Sequence, residues 1–443
     1  MTDRPPPLFL QRRFWPMWVA LSFGTLSDNV LRQSLLIGIP FGVIPAPDFG
    51  KPDNAMPFIG ALLPLAIMLF SPVAGQLADK YETSMMFRRT KLVEIILMLI
   101  AASAFLSGSG TLAILMLFAM GAQSAFFSPV RTSAMPKYLA PDELVRGNGI
   151  CNAGLYSFIL FGYMVGGSLI VRENGRMLVS VVLIAASTIG WLAALRTLRA
   201  GANDADLRID FNWLAQTARM IGFVRTSRGV APPLLGVAVF FLLSTAVTVI
   251  TPLYARDSLR ADALVATVLN GLFAIGAGVG AIFAAGLAKG RSGLGFSAAS
   301  VGAAGAISLL IAALTPLVAA PAGELLTAMD LVTTPAGVLL VALFITVSAL
   351  MGVYIAPLQA AVQRRAPPTV RARIMAAGTF ANAAFAIPGS LATFAITDSG
   401  ADPALAFYAI AAAMLAIAAV MLHRRRTLPA GLYDEVLAGP KGK

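Results

Sequence analysis

Histidine and cysteine are almost missing from this chain: its 443 residues hold one of each, His423 and Cys151. One cysteine excludes an internal disulfide and any cysteine-built metal site. One histidine, at the end of the last apolar run, leaves neither a zinc centre nor a Ser-His-Asp triad to expect. No glycine-rich loop ending in Gly-Lys-Ser/Thr occurs, so ATP-driven work is not expected. No metal and no cofactor are expected. Charge is also scarce: 12% of the residues are charged, against about 25% in a soluble domain. The first apolar run is too long for a signal-peptide core and no small-residue cleavage site follows it, so no cleaved leader is expected.

What fills the chain is apolar. Hydrophobic residues make up 58% and the mean hydropathy is +0.80, values of a polytopic membrane protein. Twelve apolar spans are predicted, at 14–40, 57–78, 87–107, 110–134, 147–170, 176–197, 232–254, 264–288, 295–318, 336–359, 373–397 and 404–422. The short connections make neighbouring helices antiparallel. The fold class expected is therefore an all-α membrane protein.

The formal charge of +12 would suggest nucleic acid in a soluble chain. Here the basic residues are spread over loops. Assigning alternate loops to two sides puts most of the 33 lysines and arginines on the side that holds both termini. The other side has only Lys51, Arg172, Arg176, Arg256 and Arg260. The positive-inside rule then places both termini in the cytoplasm, and nucleic acid is dropped as a partner.

A polar segment, 200–230, divides the spans six and six. Asp204, Asp206, Arg208 and Asp210 make it water-soluble. Asp210 is expected to cap a short helix from Phe211, with Leu214, Ala218, Ile221 and Val224 at helical spacing and Arg219, Arg225 and Arg228 as its basic residues. An interfacial helix and a plain linker helix under the bundle both fit. The expected organisation is a bundle over 1–199, the linker 200–230, a second bundle over 231–426 and a tail over 427–443. The halves match at one place. Pro129 and Arg131 before Asn152-Ala153 correspond to Pro357 and Gln359 before Asn382-Ala383, with one two-residue gap. A 6+6 parallel repeat of this kind is the architecture of major facilitator transporters.

The first span carries Leu26-Ser27-Asp28-Asn29-Val30-Leu31-Arg32-Gln33. Each charge near mid-span costs roughly 2.5–3.5 kcal/mol to insert. Asp28 and Arg32, four apart, share a helix face and can partly neutralise each other. Two readings stand: a local ion pair that holds helices together, or a gate or head-group site. Asp28 and Glu94 are the two carboxylates placed inside the spans. Any proton coupling would fall to them, and their basic neighbours speak against an obligatory one. Gly162–Gly167 and Gly276–Gly280 place small residues four apart, as packing seams.

Gly75-Gln76-Leu77-Ala78-Asp79-Lys80, followed by Arg88-Arg89, resembles the loop motif of the major facilitator superfamily. The resemblance implies that Asp79 locks the outward-facing state on the cytoplasmic side, with Arg88, Arg89 or Arg146 as its partner. The glycine usual after the aspartate is replaced by Glu82-Thr83. The run Asp28 to Gln33 is similar to a motif of bacterial lysophospholipid transporters, closest to the transporter half of transporter–acyltransferase fusions. Arg88-Arg89-Thr90-Lys91-Leu92-Val93-Glu94 resembles the same family, as do Phe127 to Arg131, Met135-Pro136 and Glu143 to Asn148. The likeness covers spans 1 to 5. Arg131-Thr132 departs from that family's Lys-Tyr; the charge stays, but a fork replaces a point charge.

The resemblance implies a transporter that moves lysophospholipids from the outer to the inner leaflet of a bacterial inner membrane by alternating access. Re-acylation would need a separate lysophospholipid acyltransferase; membrane lipids are the other partners, and a monomer is expected. The head group would meet Asp28, Asn29, Arg32, Gln33, Glu94, Gln123 and Arg131, with Asn152, Gln359 and Asn382 as further polar positions. Asp79, Arg88, Arg89, Lys91, Arg146 and Asn148 would serve the conformational change. An interfacial ion pair fits Lys91 and Glu94 equally well. So does a positive-inside anchor for Arg131. Interhelical hydrogen bonding is the commoner role for Asn148, Asn152, Gln359 and Asn382. The rival functions are a proton-coupled efflux pump for amphipathic drugs, which shares the fold, and a non-transporting scaffold or sensor. An enzyme is not expected, since no nucleophile–base or metal set is visible.

Overall fold

A computed structural model describes residues 8–47, 51–140, 143–202, 204, 206–213, 215–218, 222, 229–288, 294–366 and 371–427. Twelve long helices carry the described chain. They are α1 (Trp15–Gly38), α2 (Ala55–Lys80), α3 (Thr83–Ser107), α4 (Gly110–Tyr138), α5 (Leu144–Ile170) and α6 (Gly175–Leu195), then α7 (Ala231–Leu253), α8 (Ala263–Ala288), α9 (Leu294–Val318), α10 (Pro335–Arg365), α11 (Arg371–Leu391) and α12 (Ala404–Thr427). Among the described residues the only β pairing is an isolated bridge between Ala261 and Leu326. Eleven of the helices are long and apolar enough to cross a membrane. α1 is outside that set, because Ser22, Ser27, Asp28, Asn29, Arg32, Gln33 and Ser34 dilute its apolar character.

The chain forms two compact units, one of residues 1–48 and 62–218, the other of 49–61 and 219–443. In the first, α1 packs on α5 and α6, and α3 on α4 and α6. In the second, α7 packs on α11, and α9 on α10 and α12. Those are equivalent pairs, so the 6+6 repeat read from the prolines and asparagines holds for packing. Close approach explains the glycine seams. A Cβ on Gly166 would come within 2.7 Å of the Val30 carbonyl oxygen, and one on Gly280 within 1.9 Å of that of Ala349.

The unit boundary falls inside α2, just before Pro64. Its first residues and the turn before it belong to the second unit: Asp53 of that turn takes a forked pair from Arg256 at 2.9 and 2.6 Å, and Ser390 Oγ donates to the Pro57 carbonyl at 2.7 Å. Prolines inside helices leave carbonyls one turn back unbonded, and two of these are met from elsewhere. Pro72 frees the Met68 carbonyl, which accepts from the Trp213 indole at 3.4 Å. Pro252 frees that of Thr248, which accepts from Asn270 Nδ2 at 3.4 Å.

The expectation for the linker helix is corrected here. The linker helix starts at Trp213, not Phe211. Asn212 Oδ1 accepts the Ala215 N–H at 3.0 Å, the right offset for a cap, while Asp210 accepts from the Asn212 N–H at 2.9 Å and from Gln216 at 3.0 Å. Leu214, Arg219, Ile221, Val224, Arg225 and Arg228 lie outside the described residues. Residues 200–218 pack with the first unit. The span expected at 373–397 is found at Ile374–Ser399, with one interruption: α11 ends at Leu391 and a short helix runs Phe394–Ser399.

α3 begins under a carboxylate cap. Glu82 accepts from the Ser84 N–H and hydroxyl at 3.1 and 2.7 Å, from the Met85 N–H at 2.9 Å and from the Ala200 N–H at 2.9 Å. Burial works to raise this carboxyl, but the bonds from Ser84, Ala200 and Met85 outweigh it and hold it below the usual glutamate range. A lowered folded value means that the cap's contribution is complete above the ordinary carboxylate range and is lost as pH falls through the lowered value. Amide exchange at Ala200, corrected for intrinsic pH dependence, is therefore expected to stay slow from pH 7 to about 5 and to quicken below about 4. Equal protection at pH 3 would show that the Glu82 bond does not hold that amide.

Candidate functional site: a buried charge cluster on α1, α3 and α4

From its cap, α3 runs far enough to carry Lys91 and Glu94 two to three turns in. Both side chains are buried, 0% and 1% exposed, with Lys91 Nζ 2.6 Å from Glu94 Oε2. This corrects the interfacial alternative: neither side chain snorkels to water. Gln123 of α4 donates to the same Glu94 oxygen at 3.2 Å and to the Thr90 carbonyl at 3.1 Å. Its neighbour Ser124 donates to Asp28 Oδ2 of α1 at 2.8 Å. The Phe127 ring, one turn further along α4, lies 4.5 Å from Lys91 Nζ and meets Phe87 edge-on. A cation over an aromatic face gains about 2 kcal/mol when desolvated.

The cluster is not charge-balanced. Asp28 and Glu94 face one lysine. Asp28 Oδ1 and Glu94 Oε1 are buried and have no hydrogen-bond partner. A buried acceptor left unmet costs about 1–3 kcal/mol, more when charged. Both oxygens are therefore suited to a ligand that brings N–H donors and positive charge.

Gly24, one turn before Asp28, makes room for the pair. A Cβ there would stand 2.1 Å from Lys91 Nζ and 3.3 Å from Glu94 Oε2. Gly24→Ala is expected to push Lys91 off Glu94 and lower the thermal midpoint by several degrees, where a Gly→Ala change in a helix normally stabilises by about 1 kcal/mol. A midpoint at or above wild type would show that the lysine has another place to go.

The expected Asp28–Arg32 pair does not form. Four-residue spacing permits it, but neighbours on different helices win: Ser124 holds Asp28, and Arg32 Nη1 donates to the Tyr163 hydroxyl of α5 at 3.3 Å. Arg32 Nε is buried without a partner. Asn29 turns its amide to the Thr25 carbonyl of its own helix at 2.7 Å and packs on Gly162. Gln33 is fully buried, with neither amide atom bonded. Arg131, half-buried, makes no ion pair or hydrogen bond among the described residues and lies beside Cys151 and Tyr156 of α5. It is seven residues beyond Ser124, two turns or about 10 Å along one face of α4.

Asn152 is exposed on α5. Gln359 and Asn382 belong to the second unit; Asn382 Oδ1 is buried without a partner. The structure thus joins Asp28, Lys91, Glu94 and Gln123 in one network and leaves Asn29, Arg32, Gln33 and Asn152 outside it. Gly24, Phe127 and Tyr163 were missed as contributors. Their spacing to Asp28, Gln123 and Asn152 was available, but only the helix crossings turn spacing into contact.

At the other candidate locus, Asp79 is exposed and its carbonyl accepts the Asp204 N–H at 3.0 Å. Arg88 turns to the Thr197 carbonyl at 3.3 Å. Arg89 and Arg146 are exposed, and the side chain of Asn148 lies outside the described residues. Lys137 feels the Asp79 and Glu82 charges and donates to Thr83 Oγ1 at 2.8 Å.

Comparison with known proteins follows the same lines. The model of the Major Facilitator Superfamily matches residues 21–390. A lysophospholipid transporter of Pectobacterium carotovorum subsp. carotovorum (strain PC1) is 30% identical over 171 residues, 38% of this chain and 38% of that protein. One of Salmonella newport (strain SL254) is 29% identical over 148 residues, 33% of this chain and 34% of its own. The matches span between a third and two fifths of these relatives. Among solved structures, a peptide transporter in complex with alafosfalin superposes with a TM-score of 0.68 at 16% identity, covering 93% of this chain and 94% of that one. A nucleoside transporter does so with 0.65 at 13% identity, covering 94% and 99%. At such identities these structures speak for the fold alone.

Proposed function

The chain belongs to the Major Facilitator Superfamily, and from that premise we propose that it moves lysophospholipids from the outer to the inner leaflet of a bacterial inner membrane by alternating access. The observation that carries the reading is the unbalanced charge buried on α1, α3 and α4. Asp28 Oδ1 and Glu94 Oε1 are open acceptors inside an apolar bundle, and Arg131 is an uncommitted guanidinium two turns away on α4.

An ethanolamine head group has the complementary parts. Its ammonium donates to the open oxygens, and its phosphate takes the guanidinium fork of Arg131. The spacing of about 10 Å between Ser124 and Arg131 suits a phosphate and an ammonium held at opposite ends of one head group. Likeness to lysophospholipid transporters over part of the chain supports the substrate class. The basic loops support cytoplasmic termini. The lipid's own concentration difference then drives the movement, and a separate acyltransferase would consume the product.

The test is uptake of labelled lysophosphatidylethanolamine into proteoliposomes, with and without an imposed pH gradient. Inward movement that needs no gradient is expected. Gradient-driven export of amphipathic dyes with no lysolipid movement would replace this reading with proton-coupled efflux, and no movement of either would favour a scaffold.

A further inference from the structure

The segment that joins the six-helix repeats is tied down along half its length. Thr83 N–H donates to the Ala200 carbonyl at 3.1 Å, and Ala200 N–H returns to the Glu82 carboxylate at 2.9 Å. Asp204 N–H reaches the Asp79 carbonyl at 3.0 Å. Tyr138 of α4 donates to the Leu198 carbonyl at 2.7 Å, and Lys137 to that of Gly201 at 2.5 Å. Gln76 makes a two-point amide pair with the backbone of Asp210: its Oε1 accepts that N–H at 2.8 Å and its Nε2 donates to that carbonyl at 3.0 Å. The last tie is the Trp213 indole on the Met68 carbonyl, which Pro72 leaves open.

Loops are usually satisfied by water. Here four carbonyls and three N–H groups of 198–210 are satisfied by α2, α3, α4 and the turn between α2 and α3. The indole tie has a separate logic. An open carbonyl at membrane depth costs several kcal/mol, so Pro72 creates a site that Trp213 fills, three turns from the Asp79 end of α2.

We propose that residues 197–213 are a strap docked permanently on the first unit, with Gln76 and Trp213 as its clamp residues. Gln76, the second residue of the Gly75–Asp79 run, thereby gains a role separate from the Asp79 lock. The strap holds the Asp79 turn in place while the units change their relation. The inference of a transport effect rests on the transporter reading above; docking itself does not.

The experiment has two arms. Hydrogen exchange of the protein in detergent is followed at Ala200, Asp204 and Asp210 for wild type, Gln76→Ala and Trp213→Phe, the latter keeping an aromatic ring but losing the donor. Exchange at those amides is expected to rise at least tenfold in Gln76→Ala and severalfold in Trp213→Phe, with helix cores unchanged. Wild-type amides that exchange at loop rates overturn the docking. In the second arm Gln76→Cys/Asp210→Cys, in a Cys151→Ser background, is assayed for lysophosphatidylethanolamine uptake before and after closure with a short bismaleimide. Slow uptake before closure and recovery towards the Cys151→Ser rate after it are expected. Uptake abolished by closure would show that the strap must leave, and would overturn the proposal. If the unmodified protein moves no lysolipid, the transporter reading fails while the exchange arm still decides the strap.

Discussion

Glu94→Leu is expected to destabilise the protein by about 3–5 kcal/mol, the cost of leaving one member of a buried ion pair alone. The stranded member is Lys91, fully buried against the Phe127 ring and the backbone of Gly24. No water reaches it, and no other carboxylate is within bonding distance among the described residues. The loss corresponds to a fall in thermal midpoint of about 3–5 °C. Lys91→Met combined with Glu94→Leu should recover most of it, since replacing both charges by apolar groups is often neutral. Uptake should stay lost in the double variant, because the open Glu94 oxygen is gone. Thermal unfolding in detergent read beside uptake separates the two effects. A single variant as stable as wild type would refute the burial of the pair.

Asp28→Asn should behave in the opposite way, with stability within about 1 kcal/mol of wild type and transport reduced. The side chain keeps its shape, and its remaining oxygen still accepts the Ser124 hydroxyl. What changes is the open position, where an NH2 group or a neutral oxygen replaces a carboxylate oxygen. A hydrogen bond to a charged group contributes about 1.5–3 kcal/mol, so uptake of an ammonium-bearing lysolipid should fall about 10- to 100-fold at limiting substrate. The choice of head group sharpens this. Lysophosphatidylglycerol has no ammonium and should be little affected by Asp28→Asn, whereas Arg131→Gln should slow both lipids through the shared phosphate. Equal losses for both lipids in Asp28→Asn would refute the ammonium role.

These two positions also show where reading from sequence reached its limit. Asp28 and Glu94 could be singled out because an intramembrane carboxylate is costly wherever it points. That rule is blind to partners. Arg32 stood at the right offset to neutralise Asp28, yet α5 offers it the Tyr163 hydroxyl while α4 offers Asp28 the Ser124 hydroxyl. The offset allows a pair; which neighbouring helix lies nearer decides whether it forms. The same limit applied to Asp210, at a plausible capping position in the sequence but displaced by Asn212, whose oxygen meets the right N–H.

Composition and periodicity alone determined that the chain is helical, membrane-embedded and built of two sets of six, because bilayer thickness and the cost of an unpaired backbone in lipid leave few solutions. They also located the charges that had to be hidden. Tertiary structure alone decided that Asp28 turns to Ser124 and not to Arg32, that the Lys91–Glu94 pair is buried, and that the linker clasps the first unit through Gln76 and the carbonyl opened by Pro72. Those outcomes depend on helix crossings set by small residues such as Gly24 and Gly166, and on contacts between residues a hundred or more positions apart, which no local pattern encodes.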